Sequence, residues 1–316
     1  MTLPSMDTGP TVPVEDVFAQ SPVGKARYMP RSGETLAGAL RRILIDEITG
    51  ARAIVCDPDL SRSETVHRTR RALKRVRSLW SVLEPLPGAN REGRIRQVRD
   101  AGRLLAEARD ADVMAAEASR LVERAAGRAD PAVKLLEARC AARAERAHRG
   151  TPPFEEVAAR LRACEADARS LPLLFEGGPL LVEALVASYR RGRKDWREID
   201  DGATGKALHD WRKRVKQRRH LSAIVPIATA VTSRSIQTDL EQLGEILGEE
   251  HDLAVMRHHL EKDVGFLAPS EGRDDLLELI ARRRRKLRKV ALDLGGELYD
   301  LRTRAFARDL EALREL

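Results

Sequence analysis

Apolar residues recur at three- and four-residue intervals along most of the chain, and no stretch shows alternating strand pattern with turn chemistry. The first run, Glu34 to Val55, carries Leu36, Leu40, Ile43 and Leu44 in helical register, and Cys56-Asp57-Pro58-Asp59 breaks it. Ser61-x-x-Glu64 is a capping box for a second helix, which Pro85, Pro87 and Gly88 end. Further helices are predicted from Arg91 through Leu105 to about Ala126, with a kink or new start at Arg109-Asp110-Ala111-Asp112. Others span Pro131 to Ala147, stopped by Gly150 and Pro152-Pro153, and Pro153 to Ser170. Leu171 to Pro179, with its Gly177-Gly178, is the expected boundary between halves. Beyond it come Leu180 to Ile199, a turn at Asp200-Asp201-Gly202, and Thr204 to Pro226. Arg234 to Gly248, His251 to Val264, a loop at Pro269, Glu271 to Leu294 and Leu298 to Leu316 complete the pattern. The predicted fold is all-α: two antiparallel helical bundles, residues 32–172 and 173–316. Residues 1–31, with Pro4, Pro10, Pro13, Pro22 and Pro30 and little periodicity, are expected to be a flexible extension that ends in a docked segment near Tyr28.

The two halves carry related patterns. His67, Arg70, Lys74 and Arg77 recur as His209, Arg212, Lys216 and Arg219, each 142 residues later. The same offset carries Leu105, Glu107, Asp110, Val113 and Met114 onto Leu247, Glu249, Asp252, Val255 and Met256. A constant offset over separated patches predicts an internal duplication with pseudo-twofold symmetry.

On a helix, His67, Arg70, Arg71 and Lys74 share a face, with Arg75 and Arg77 on its flanks. Leu73, Val76, Leu79, Trp80 and Leu83 oppose them. In the second half His209, Arg212, Lys213, Lys216 and His220 line one face, with Arg219 at its edge, opposite Trp211, Val215, Leu221 and Val225. Net charge is only +8, from 57 basic and 49 acidic residues, so segregation of charge matters more than its sum. No Asp or Glu occurs from Thr65 to Leu83 or from Trp211 to Thr238. A solvated helix would mix signs, and like charges at these spacings repel. An anionic ligand is the expected reason for the arrangement.

Other chemistries find less support. Cys56, Cys140 and Cys164 are odd in number and far apart, which fits isolated thiols in a reducing, cytoplasmic setting. No apolar run reaches membrane-spanning length, so no membrane partner is expected. A transition metal would need neutral imidazoles and carboxylates, whereas the recurring neighbours of His67 and His209 are cations. His251-Asp252 resembles a phosphohydrolase pair, but its repeat counterpart is Arg109-Asp110, so the shared feature is the carboxylate. Asp110 and Asp252 are read either as groups that orient and hold charged an Arg or His, or as ordinary helix-start carboxylates. No nucleophile elbow or phosphate-binding glycine loop is present. No cofactor is expected, and the chain is read as a binding protein without catalytic residues. A metal-dependent phosphohydrolase and nucleic-acid backbone binding are the alternatives. Against nucleic acid, the basic helices contain no Asn and only Gln217, and the chain holds three Trp, three Tyr and five Phe.

The ordered motifs resemble the conserved histidine α-helical domain (CHAD) family. They are the His-x-x-Arg helix at His67, Arg109-Asp110-x-Asp112-Val113, Tyr189-Arg190-Arg191-Gly192-Arg193, Leu208-His209-x-x-Arg212-Lys213-x-x-Lys216, Leu247-Gly248-x-x-His251-Asp252-Leu253, and Leu294-Gly295-x-x-Leu298-Tyr299. The resemblance spans residues 32–316. Lys74 stands where Arg is commoner, and His220 where Tyr is usual. The family's known role implies inorganic polyphosphate as the ligand, and cations without base-reading groups suit a polymer that is phosphate throughout. The expected binding residues are those of the two basic faces, with Arg190 and Arg193 extending the track. A granule scaffold, a storage regulator and a targeting module are all compatible with such binding.

Overall fold

The computed structural model describes residues 28–86, 91–124, 131–149, 153–199, 203–225, 229–262 and 267–316, the side chains of residues 91, 92 and 124 excepted. These residues form eleven α-helices and no strand. They are α1 (Leu36–Val55), α2 (Arg62–Leu83), α3 (Arg91–Leu104), α4 (Ala106–Arg124), α5 (Pro131–Arg149), α6 (Phe154–Arg169), α7 (Gly177–Arg197), α8 (Gly205–Ser222), α9 (Arg234–Lys262), α10 (Arg273–Tyr299) and α11 (Thr303–Asp309). Most of the expected extension, residues 1–27, and the expected turns at 87–88, 150–152, 200–202 and 226 lie outside the described residues. Where the described chain begins, Tyr28 is buried in the core.

The helices start where their sequences allow. The Ser61 hydroxyl accepts from the Glu64 amide at 3.2 Å, and Thr35 and Thr204 accept in the same way from Gly38 and Ala207. The apolar face of α2 is buried as its period requires: Leu73, Val76, Leu79, Trp80 and Leu83 all lie in the core. Each such side chain contributes about 2 kcal/mol of transfer free energy. Trp211, Val215 and Leu221 do the same for α8.

Several boundaries differ from the sequence pattern, and glycine accounts for three; in addition the run expected as one helix from Leu298 to Leu316 is α11 followed by a 3-10 turn at Glu311–Glu315. Gly177 and Gly178 begin α7 instead of ending a loop. A Cβ at Gly177 would fall 2.5 Å from the Ala37 nitrogen, and one at Gly178 would fall 2.2 Å from the Leu313 carbonyl oxygen, so these glycines let backbones touch. The expected break near Gly248 is absent: α9 runs unbroken, and its buried Gly248 faces the Arg212 guanidinium. α10 continues through Gly295 to Tyr299, because Gly295 packs directly against the rings of Trp196 and Trp211. A further difference is the α3–α4 break, which falls at Leu105 rather than at Arg109–Asp112.

Two apolar cores hold the helices, and each draws on both halves of the chain. The larger is built from α1, α2, α3, α6, α7, α8, the first part of α9 and the C-terminal end. The smaller joins α4 and α5 to the second part of α9 and α10. Helices of the first half pack on helices of the second: α1 on α7, α2 on α8, α4 on α9 and α5 on α10. Ser78 and His220, 142 residues apart, meet at the α2–α8 contact, with the Ser78 hydroxyl 3.1 Å from His220 Nδ1.

Candidate anion-binding seam

α2 and α8 place Lys74 and Lys216 one helical turn before the Ser78–His220 contact, so the two basic faces converge on one seam. α4 adds Arg109. The charges of Arg212, Arg109, Arg70 and Arg77 all act on Lys74. Those of Arg212, Lys74 and Arg219 act on Lys216. Among the described residues no carboxylate hydrogen-bonds to Arg70, Lys74, Arg77, Arg109, Arg212 or Lys216. Burial and cationic neighbours push the Lys74 ammonium down to about 8 and the Lys216 ammonium down to about 6.

Arg70 and Arg212 are held from behind. Arg70 donates to the Gly102 carbonyl, and Arg212 lies against Gly248, where a Cβ would come within 3.2 Å of its Nη2. Each has one Nε that is buried and without a hydrogen-bond partner. Asp110 acts electrostatically on Arg70, and Asp252 acts on Arg212. No direct hydrogen bond joins either pair. Burial raises the Asp252 carboxyl despite Arg212, Arg109, Lys216 and Arg120 around it.

His67 is exposed at one edge of the seam; desolvation and then Arg71, Arg109 and Lys74 lower its imidazole from the usual range. His209 pairs with His251, with ring centroids 4.4 Å apart. Both imidazoles are pushed down to about 4, first by burial and then by surrounding positive charge. Among the described residues no group of three or more His, Cys, Asp or Glu could hold a metal ion.

Several residues expected on the binding surface already have other partners. Arg75 donates to Glu47 at 2.6 Å and lies over the Tyr28 ring. Arg219 pairs with Glu241 at 3.0 Å, and Lys213 with Asp210 at 2.8 Å. Arg193 does not extend a track: it donates to the Tyr299 and Asp300 carbonyls and caps α10. The neighbouring Tyr189 stacks on Phe306 and donates to the Leu301 carbonyl, so this motif is a packing device. Arg190 is exposed on α7, and no contact places it in the seam. The run of cations on α10 is partly neutralised, since Arg283 is held by Glu249, and Arg284 and Arg288 by Glu250.

The CHAD domain family model matches residues 44–261. The chain belongs to the CHAD domain family. The fold is shared with a crystal structure of the CHAD domain from the plant Ricinus communis: 19% identity, a TM-score of 0.61, and coverage of 90% of this chain and 98% of that one. PptA from Streptomyces chartreusis is similar at 16% identity and a TM-score of 0.60, covering 84% of this chain and 98% of that one. No curated protein sequence matches the chain.

Two members of the seam in this CHAD protein were not among the expected binding residues. Arg109 acts on His67, Arg70, Lys74, Arg212 and His251, and so faces both halves. His251, at the corresponding position on α9, faces His209. The usable signal was positional: each directly precedes a recurring carboxylate, Asp110 or Asp252. No described helix of this CHAD protein is long and apolar enough to cross a membrane.

Proposed function

We propose that this chain binds inorganic polyphosphate along the α2–α8 seam and does not turn it over. The observation that carries this reading is the convergence of Arg70, Lys74, Arg77, Arg109, Arg212 and Lys216 from three helices, with no carboxylate hydrogen-bonded to any of them among the described residues. Such a group is costly unless an anion occupies it. Arg70 and Arg212, pre-oriented by Gly102 and the space at Gly248, offer guanidinium forks to phosphate oxygens. The lysines act as point charges. Helix pairing brings equivalent residues of the two halves together, which supports the duplication read from the 142-residue offset and gives a ligand two walls at once. Family membership adds the expectation of polyphosphate that the resemblance carries. A cytoplasmic protein associated with polyphosphate granules is the setting this reading suggests.

Nucleic acid is the rival ligand, and it lacks base-reading groups here. The test is a direct comparison of long-chain polyphosphate, duplex DNA, single-stranded RNA and ATP at matched salt. Polyphosphate should bind tightest, with a steep loss of affinity as salt rises. Equal or tighter binding of either nucleic acid overturns the assignment. Phosphate release from polyphosphate with added divalent metal, lost in Asp252→Asn, would replace it with a phosphohydrolase.

A further inference from the structure

The two sides of the seam differ in what their cations are. The α2–α4 side carries Arg70, Arg77 and Arg109, which stay charged at any physiological pH, together with Lys74, brought down only to about 8, and the exposed His67. The α8–α9 side carries, beside Arg212, three groups that can lose their charge: Lys216, His209 and His251. Their surroundings discourage charge when no ligand is bound. Lys216 faces Lys74 from α2, Arg212 and Arg219 from its own helix, and Asp252 from α9. His209 faces His251 from α9, and Lys213, Arg212 and Asp210 on α8. His251 faces Arg212 and Lys216 from α8, Arg109 from α4 and Glu250 on α9. Two of the three carboxylates are already occupied: Asp210 by Lys206 and Lys213, and Glu250 by Arg284 and Arg288. His209 Nδ1 is buried with no hydrogen-bond partner.

From this geometry we infer that Lys216, His209 and His251 set ligand specificity: they take up protons only when a densely charged phosphate chain occupies the seam. The inference rests on the polyphosphate reading above. A phosphate chain without intervening sugars places several negative charges close to these groups, and their summed attraction offsets the burial and repulsion that keep them neutral. A nucleic-acid strand spaces its phosphates more widely and supplies less of that attraction. Lys216, brought down to about 6 in the free protein, is the group most readily recharged near neutral pH.

The experiment is calorimetric titration of the full chain with long-chain polyphosphate and with single-stranded DNA at pH 7.5. Each titration is run in two buffers of different ionisation enthalpy, which yields protons exchanged. Net uptake of about one proton is expected with polyphosphate and clearly less with DNA, so polyphosphate affinity should rise by up to about tenfold per unit fall in pH. Lys216→Met should lose most of the uptake and narrow the preference for polyphosphate over DNA. Lys216→Arg, charged throughout, should also lose the uptake and should strengthen DNA binding. Polyphosphate binding without net uptake, or uptake unchanged in both variants, overturns this inference alone. Absence of polyphosphate binding overturns the functional reading beneath it as well.

Discussion

Arg212 and Arg218 stand on the same helix in opposite surroundings. Arg212 borders the seam, its guanidinium against Gly248 and within reach of the charges of Asp252 and Arg109. Arg218 is 1% exposed, donates to the Leu298 carbonyl at 2.7 Å, and lies about equally close to the rings of Tyr189, Tyr299 and Phe306, at 5.0, 5.1 and 5.3 Å. Arg218 therefore holds α8 to the C-terminal end of α10 and to α11. Arg218→Ala should lower stability by roughly 2 kcal/mol or more through lost cation–π and packing contacts, read by denaturant unfolding. Lys at this position should recover only part, because an ammonium lacks the planar fork. Arg109 predicts the reverse. Arg109→Gln should weaken polyphosphate binding and flatten its salt slope by about one unit while leaving the melting temperature close to wild type. Arg193→Gln is the matched contrast, since it removes the cap of α10 and should lower the melting temperature without changing the salt slope. From composition and spacing alone these arginines look alike. What separates them is whether another helix brings a carbonyl, a ring or a carboxylate to the guanidinium, and such long-range pairings leave no local periodic signal.

At the level of elements, the 3.6-residue period revealed which faces are buried, because burial of Leu73, Val76 and Trp80 or of Trp211 and Val215 depends on the helix alone. Helix ends at glycine were less legible. A glycine ends a helix when its left-handed conformation is needed, but it continues one when the missing Cβ makes room for a neighbour. Gly272, at φ 84°, is of the first kind and precedes α10. Gly178, Gly248 and Gly295 are of the second, and only the partner helix reveals it. Gly178→Ala meets the Leu313 carbonyl, a backbone atom that no rotamer change can move. It should destabilise by about 1–3 kcal/mol and loosen the closing segment Glu311–Glu315, seen as faster amide exchange there than in α2. Unchanged exchange in that segment would contradict the close α7 approach.

For the whole molecule, the crowding of cations has a signature in stability. Lys216 and Lys74 bind protons less readily folded, at about 6 and about 8, than in an unfolded chain near 10.5. Between those values the unfolded state holds more protons, so stability of the free protein should rise as pH increases from 6 to 9. His209 and His251, at about 4 against 6.5, extend the same sign below pH 6.5. Saturating polyphosphate should stabilise the protein throughout and most at the low end, which reduces this dependence. Thermal melts at pH 6, 7, 8 and 9 with and without polymer check both statements. The all-α class was open to sequence reading because apolar residues recur at helical spacing along the chain, whereas the way each apolar core mixes helices of both halves was not. The seam was only half visible, since Arg109 and His251 enter it from α4 and α9 through helix packing.

The central claim is that both halves form one binding surface. Its most direct test is the salt dependence of polyphosphate affinity in two triple variants, one with Arg70, Lys74 and Arg77 changed to Gln, the other with His209, Arg212 and Lys216 changed to Gln. Helical content and melting temperature establish that each is folded. Both variants should bind markedly more weakly than wild type, and both should show flatter salt slopes, because each removes one wall of the seam. If one of them bound like wild type with an unchanged slope while the other lost binding altogether, a single half would be the binding module and the shared surface would be wrong.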